Sequence, residues 1–235
     1  MPRQLILDLL PPPPPTLDNF IVGDNAAAVD ALRQWQPGRA IYLWGSPGSG
    51  RSHLLRALSD AQDALYIDAG QSRHILADLA ARDQIDSRLI AIDGVDLLDG
   101  PAQAALFTLY NRWREAAAAS SAFALLLSGD RAPMAMPLRE DLRTRLGWDL
   151  VYRLQQLSDD DRAQALHARA AERGLHLAPE VVNWVLTHYT RDMNHLSALI
   201  DALDRYSLEK HRAITLPLLK DLLAADAPPD ETKTV

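Results

Sequence analysis

Across 235 residues, 48% are hydrophobic and 23% charged, enough to build one α/β domain and a small helical one of ordinary soluble type. A net charge of −7 argues against broad electrostatic binding to DNA, and the lack of cysteine excludes a disulfide or a thiolate centre and makes the cytosol the expected compartment. No apolar run reaches membrane-spanning length, and the one near the start meets proline too soon for a signal peptide.

The chain opens with Gln4-Leu5-Ile6-Leu7-Asp8-Leu9, and Pro11 to Pro15 follow. Proline runs take up extended polyproline II geometry, so five of them form a stiff spacer of about 15 Å. A short apolar peptide held off a domain in this way suits docking in a groove on a partner; the competing reading is a frayed terminus. Residues 16–23, with Phe20, read as a lead-in loop. Residues 25–34 read as a helix with Ala28, Ala31 and Leu32 inward, broken by Pro37-Gly38.

Ile41-Tyr42-Leu43-Trp44 then reads as a buried strand. Gly45-Ser46-Pro47-Gly48-Ser49-Gly50-Arg51-Ser52 follows it, and helical spacing begins at His53. Strand, glycine loop and helix are the context that the phosphate-loop pattern G-x-x-x-x-G-K-[ST] requires. The glycines let backbone N–H groups turn toward one anion, and the helix N-terminus adds positive partial charge. Ser52 is placed to reach a magnesium ion. Arg51 stands where lysine is usual. A guanidinium keeps the charge and can fork onto phosphate oxygens, but it is longer and planar, which points to retained binding with altered transfer chemistry. A glycine turn without a ligand is the bland alternative, and the agreement of strand, loop and helix argues against it.

Residues 64–68 read as a second strand and 72–81 as a helix with Ser72 as its cap. Residues 88–93 form a third strand ending in Asp93, where a carboxylate accompanies the magnesium site of phosphate-loop folds. ATPases of this architecture commonly carry a second acid at the next position, to orient the attacking water. Here it is Gly94, and loss of a positioned base costs about 10²–10⁴ in rate. Asp96, two residues on, is no simple substitute. Residues 103–119 read as an alanine-rich helix with Leu106, Tyr110 and Trp113 on its apolar face and Arg112 and Arg114 toward solvent. Residues 123–128 are a continuously apolar strand, as expected for one covered on both faces. Asp130, just past it, is either a sensor of nucleotide phosphates or the start of a loop before Pro133.

Residues 138–148 read as a charged helix with Arg139, Arg143 and Arg145, and 149–154 as a fifth strand. An arginine there can be offered to another molecule's γ-phosphate or simply be solvated, and spacing does not choose among the three. Composition then turns helical. Ser158 and Asp161 resemble a capping box opening a helix that runs to Arg173 and stops at Gly174. Pro179 opens a helix to Tyr189, and Arg191 or Asp192 begins one with Met193, Leu196, Leu199, Ile200 and Leu203 on one face. Thr215 and Pro217 start a last helix through Leu223, and residues 224–235 are expected to fray. His167, His176, His188 and His195 show no ligand spacing with an acidic partner, so no zinc site is expected.

Over nearly the whole chain these motifs resemble the DnaA branch of the AAA+ ATPases, and within it the Hda-like regulatory inactivators. The matching stretches are Gly50-Arg51-Ser52-His53-Leu54-Leu55, Ile92-Asp93, Leu109-Tyr110-Asn111-Arg112, Gly129-Asp130-Arg131, Arg145-Leu146-Gly147-Trp148 and Leu157-Ser158-Asp159. Hda-like chains also carry arginine at the position of Arg51. They begin with a Gln-Leu-x-Leu-x-Leu peptide that docks on the DNA-polymerase sliding clamp, which Gln4, Leu5, Leu7 and Leu9 match, with Asp8 where proline is usual.

The resemblance implies an α/β fold of the AAA+ phosphate-loop class: a five-stranded parallel sheet flanked by helices in residues 16–156 and a small all-α lid of three or four helices in 157–225. A clamp peptide and spacer would occupy residues 1–15 and a tail 226–235. It also implies ADP or ATP, with Mg²⁺ at Ser52 and Asp93 if a metal is bound. The nucleotide would lie between the two domains, against Phe20, residues 45–53, Asp130 and Asn194. Asn194 falls where the lid's sensor arginine is expected, which together with Gly94 implies weak self-hydrolysis. By position Arg145 matches the family's arginine finger, acting in trans on ATP held by DnaA. The implied partners are DnaA and the sliding clamp (the polymerase III beta subunit), with a homodimer left open. The sequence shows no basic segment like the DNA-binding domain of full-length DnaA, so DNA would be met only through the clamp. The expected role is an ADP-bound regulator that stimulates hydrolysis of DnaA-bound ATP and so limits re-initiation. Its rivals are an autonomous ATPase (a loader or remodeller), which Gly94 and Asn194 oppose, and a clamp-docking adaptor with a vestigial pocket.

Overall fold

The computed structural model describes residues 14–60, 63–71, 74–82, 84–189 and 193–226. Gln4, Leu5, Leu7 and Leu9 of the expected clamp peptide, together with Ser72, Arg191 and Asp192, lie outside them. The chain groups into two compact units that divide between Gln156 and Leu157.

In chain order the first unit contains a 3-10 turn (Gly23–Asn25), α1 (Ala26–Arg33), β1 (Ala40–Trp44), α2 (Arg51–Ser59), β2 (Ala64–Asp68) and α3 (His74–Ala81). These are followed by β3 (Leu89–Asp93), a 3-10 turn (Val95–Leu97), α4 (Gly100–Ala116), β4 (Ala124–Gly129), α5 (Glu140–Leu146) and β5 (Leu150–Arg153). The five strands form one parallel sheet in the order β2-β3-β4-β1-β5, the expected α/β arrangement. Strand periodicity explains the burial. Tyr42, Ile90, Ile92, Leu125 and Leu127 face one layer with α3, α4 and α5, while Ile41, Leu43, Leu89, Ala91, Ala124 and Leu126 face the other with α1 and α2. The chain leaves β1 toward β2 and leaves β4 toward β5, on the opposite side. The carboxyl ends of β1 and β4 are therefore the topological switch point, where ligand sites of such sheets form.

Several local expectations are corrected. Helix α4 starts three residues earlier than expected and ends three earlier. Asp99 caps it through Ala102 N–H, and Pro101 sits in its first turn, where its missing N–H costs nothing. Arg112 does not face solvent. Its guanidinium donates to the carbonyls of Leu79 (3.2 Å) and Arg82 and ties α4 to the end of α3. Val29 is buried where Ala31 was expected to be, and Ala31 is only half-buried. Helix α5 is seven residues long, with Arg139 extended at its N-cap and outside the helix.

The second unit is all-helical: α6 (Asp159–Glu172), α7 (Pro179–His188), α8 (Met193–Lys210) and α9 (Leu216–Asp226). The capping box forms as read: Asp161 N–H donates to Ser158 Oγ at 3.0 Å and Ser158 N–H to an Asp161 carboxylate oxygen at 3.1 Å. Leu196, Leu199, Ile200 and Leu203 of α8 pack with Leu166, Val182, Val185 and Leu218 in this unit's core. Helix α9 runs through residues 224–226, which were expected to fray. No helix among the described residues is long and apolar enough to cross a membrane.

Candidate functional site

The glycine loop leaves β1 at Trp44 and enters α2 at Arg51. Gly48 and Gly50 have φ of +79° and +90°, conformations that turn the backbone as only glycine does without strain. A Cβ on Gly50 would stand 2.5 Å from Phe20 Cε2, and one on Gly45 would stand 2.5 Å from the Leu154 carbonyl. Above Gly48 the nearest atom to such a Cβ is Gln156 Nε2, at 3.9 Å. The first bond of α2 runs from Leu54 N–H to the Gly50 carbonyl, and no side chain caps the helix. Its leading N–H groups are therefore available to an anion. Ser52 is exposed on the first turn, and Arg51, half-exposed beside it, makes no hydrogen bond or ion pair with any described residue. Gln156 Nε2 donates to the Pro47 carbonyl at 2.7 Å and steadies the loop. The Ser49 hydroxyl is buried without a partner among the described residues.

Phe20 and His53 flank this helix start. Their ring centroids are 5.4 Å apart, and His53 Nε2–H donates to the Thr16 carbonyl at 2.9 Å. Burial holds the His53 imidazole below its ordinary pKa.

Asp93 ends β3, and both its carboxylate oxygens accept hydroxyl protons, one from Ser128 of β4 and one from Tyr66 of β2 at 2.7 Å. Ser128 Oγ in turn accepts from Gly94 N–H at 2.8 Å, and Tyr66 Oη from Arg56 Nε at 3.1 Å. Burial, followed by its bond to Asp93, pushes the Tyr66 phenol up to about 12. Asp130 lies just past β4. One of its oxygens pairs with Arg131 at 3.0 Å and the other is buried without a partner among the described residues. Charges converge here: burial raises the Tyr42 hydroxyl, the negative charges of Asp96 and Asp130 raise it further, and Arg51 opposes them. Asn194 lies in the first turn of α8, in the other unit.

Arg145 belongs to a separate cluster on α4 and α5. Its guanidinium lies 3.6 Å from the centroid of Phe107 and 4.8 Å from that of Trp148. One nitrogen donates to Asn111 Oδ1 and, at 3.4 Å, to the Phe107 carbonyl. It forms no ion pair with any described carboxylate, and partial burial lowers its pKa. Arg139, by contrast, pairs with Asp141 at 2.7 Å.

Residues 159–223 match the family described as the Hda lid domain. In fold, the chain is similar to domain III of the Thermotoga maritima replication initiation protein DnaA, with a TM-score of 0.71 and 22% identity over 90% of this chain and 96% of that one. The chain as a whole shares the fold of DnaA domain III. AMPPCP-bound DnaA from Aquifex aeolicus is also similar in fold, with a TM-score of 0.63 and 20% identity over 86% and 71% of the two chains. So is a RuvB variant from Thermotoga maritima, at 0.64 and 14% over 90% and 72%.

Sequence reasoning named the loop, Asp93, Asp130 and Arg145 as candidates but passed over Arg56, Tyr66 and Ser128. Arg56 did leave a signal, because it lies four residues after Ser52 and so on the same helical face. Tyr66 and Ser128 looked like ordinary strand residues. Their contact with Asp93 comes from β2 and β4 flanking β3, which no local pattern encodes.

Proposed function

We propose that this AAA+ protein limits replication initiation by acting on ATP held by DnaA. The observation that carries this reading is Arg145: a guanidinium gripped by two rings and an amide, in no ion pair with any described carboxylate. An arginine stored in this way is suited to meet negative charge on another molecule. In phosphoryl transfer such a residue stabilises the transition state in trans.

The loop of residues 45–52 binds ADP in this reading. Two glycines turned open, an uncapped nine-residue helix and an Arg51 without a hydrogen-bond or ion-pair partner among the described residues fit a diphosphate, and the AMPPCP complex of Aquifex aeolicus DnaA supports nucleotide binding by this fold. Ser52 and Asp93, one hydroxyl and one carboxylate, fit the small protein share that Mg²⁺ takes beside phosphate oxygens. Bound there, the ion would add positive charge at those oxygens. Gly94 leaves the site without a second acid, so self-hydrolysis is weak. Residues 4–9 dock on the sliding clamp and bring Arg145 to DnaA in the cytoplasm.

The test is turnover of ATP-bound DnaA in the presence of clamp loaded on DNA. Arg145→Ala is expected to lose stimulation on the order of 10³-fold while still binding ADP. Undiminished stimulation by that variant would remove Arg145 from the mechanism.

A further inference from the structure

Proton bookkeeping around Asp93 leads beyond the nucleotide reading, and rests on it. Arg56 and the Gly94 N–H can only donate. The Tyr66 hydroxyl receives from Arg56 and the Ser128 hydroxyl from Gly94, so each sends its own proton to Asp93. The carboxylate thus meets an O–H on either side, and behind one of them stands a full positive charge. Arg56 also lies over the Tyr66 ring at 5.2 Å, which fixes the pair side by side. Asp68, level with Asp93 on the neighbouring strand, has one oxygen occupied by the N–H groups of Gly70 and Gln71. No cluster of three metal-ligating side chains occurs among the described residues.

We infer that Tyr66 and Arg56 compensate the Asp93 carboxylate from within the protein, so that the loop takes a nucleoside diphosphate with little dependence on a divalent cation. In phosphate-loop sites the cation offsets the repulsion between this carboxylate and the phosphates. Here that repulsion is already damped, and Arg51 supplies a further positive charge at the head of α2. Tyr66 and Arg56 are positioning residues in this scheme: they act on the ligand through Asp93 and do not touch it.

The experiment is equilibrium binding of a fluorescent ADP analogue to the full chain, once with excess EDTA and once with Mg²⁺. The wild type is expected to change affinity by less than about threefold between the two. Tyr66→Phe and Arg56→Gln are each expected to bind about tenfold or more tightly with Mg²⁺ than without, the size expected when a hydrogen bond that offsets a carboxylate's charge is lost. Arg56 is exposed, so Arg56→Gln keeps the test open should Tyr66→Phe fold poorly. A wild type that gains tenfold on adding Mg²⁺, or variants that behave as wild type, would overturn the inference. A wild type that binds in neither condition would overturn the nucleotide reading itself.

Discussion

Gly94 has φ of +79°, and a Cβ there would stand 3.3 Å from Leu97 Cδ1. Restoring the second acid therefore requires a side chain in the left-handed region, at a cost of about 1–2 kcal/mol. Gly94→Glu is expected to lower the denaturation midpoint without raising ATP turnover by the isolated protein; a stable variant with brisk turnover would show that the turn adapts. Asn111 is the amide that holds Arg145. Asn111→Ala should leave the guanidinium between its rings but free to swing, lowering stimulation of DnaA by about 10–10²-fold, since small misplacements of a catalytic group cost that much. Equal activity of Asn111→Ala and wild type would show that the rings alone suffice. At this scale legibility depended on locality. Arg51, Ser52 and Asp93 could be read because the phosphate loop and the strand end are contiguous motifs. Phe107 as the ring beneath Arg145 could not, because it depends on how α4 meets α5.

Strand β5 is a four-residue edge strand whose entry is secured by one carboxylate. Asp149 accepts from Arg39 Nε at 2.8 Å and Nη2 at 2.6 Å, and from Ala40 N–H at 2.9 Å. The hydrogen bonds from Arg39 hold its pKa below the ordinary carboxylate value. A folded-state pKa that is depressed contributes stability above the unfolded value and loses it as pH falls through that range and below. The melting-temperature gap between wild type and Asp149→Asn should therefore close as pH is lowered from neutrality through the carboxylate range. The gap will be small because Arg39 is half-exposed. A gap that does not vary with pH would mean the anchor is not ionic. The elements themselves were legible wherever one physical signal dominated, as in the apolar runs of β1 to β4 and the Ser158–Asp161 box. They were misplaced where two signals competed. The helix expected from residue 103 begins at Gly100, because Asp99 as cap and Pro101 in the first turn are also how a helix begins. The charged stretch before α5 looked helical, but Arg139 is extended.

At the scale of the whole chain, the doubly covered sheet followed from strands with no polar face, and a separate helical unit from the change in composition after β5. The strand order is a different matter, because it is set by contacts between distant segments; the family resemblance implied five parallel strands but no order among them. Removing residues 1–10 is expected to abolish capture by the sliding clamp while leaving the circular dichroism spectrum and ADP binding unchanged. Retained capture would detach the clamp from that segment. The seat of Arg145 has a thermodynamic corollary. A loose surface arginine forfeits about 2 kcal/mol of rotamer entropy when a partner immobilises it. Phe107 and Trp148 have already confined this one during folding, so its engagement should register in calorimetry as an association with little conformational penalty from that side chain.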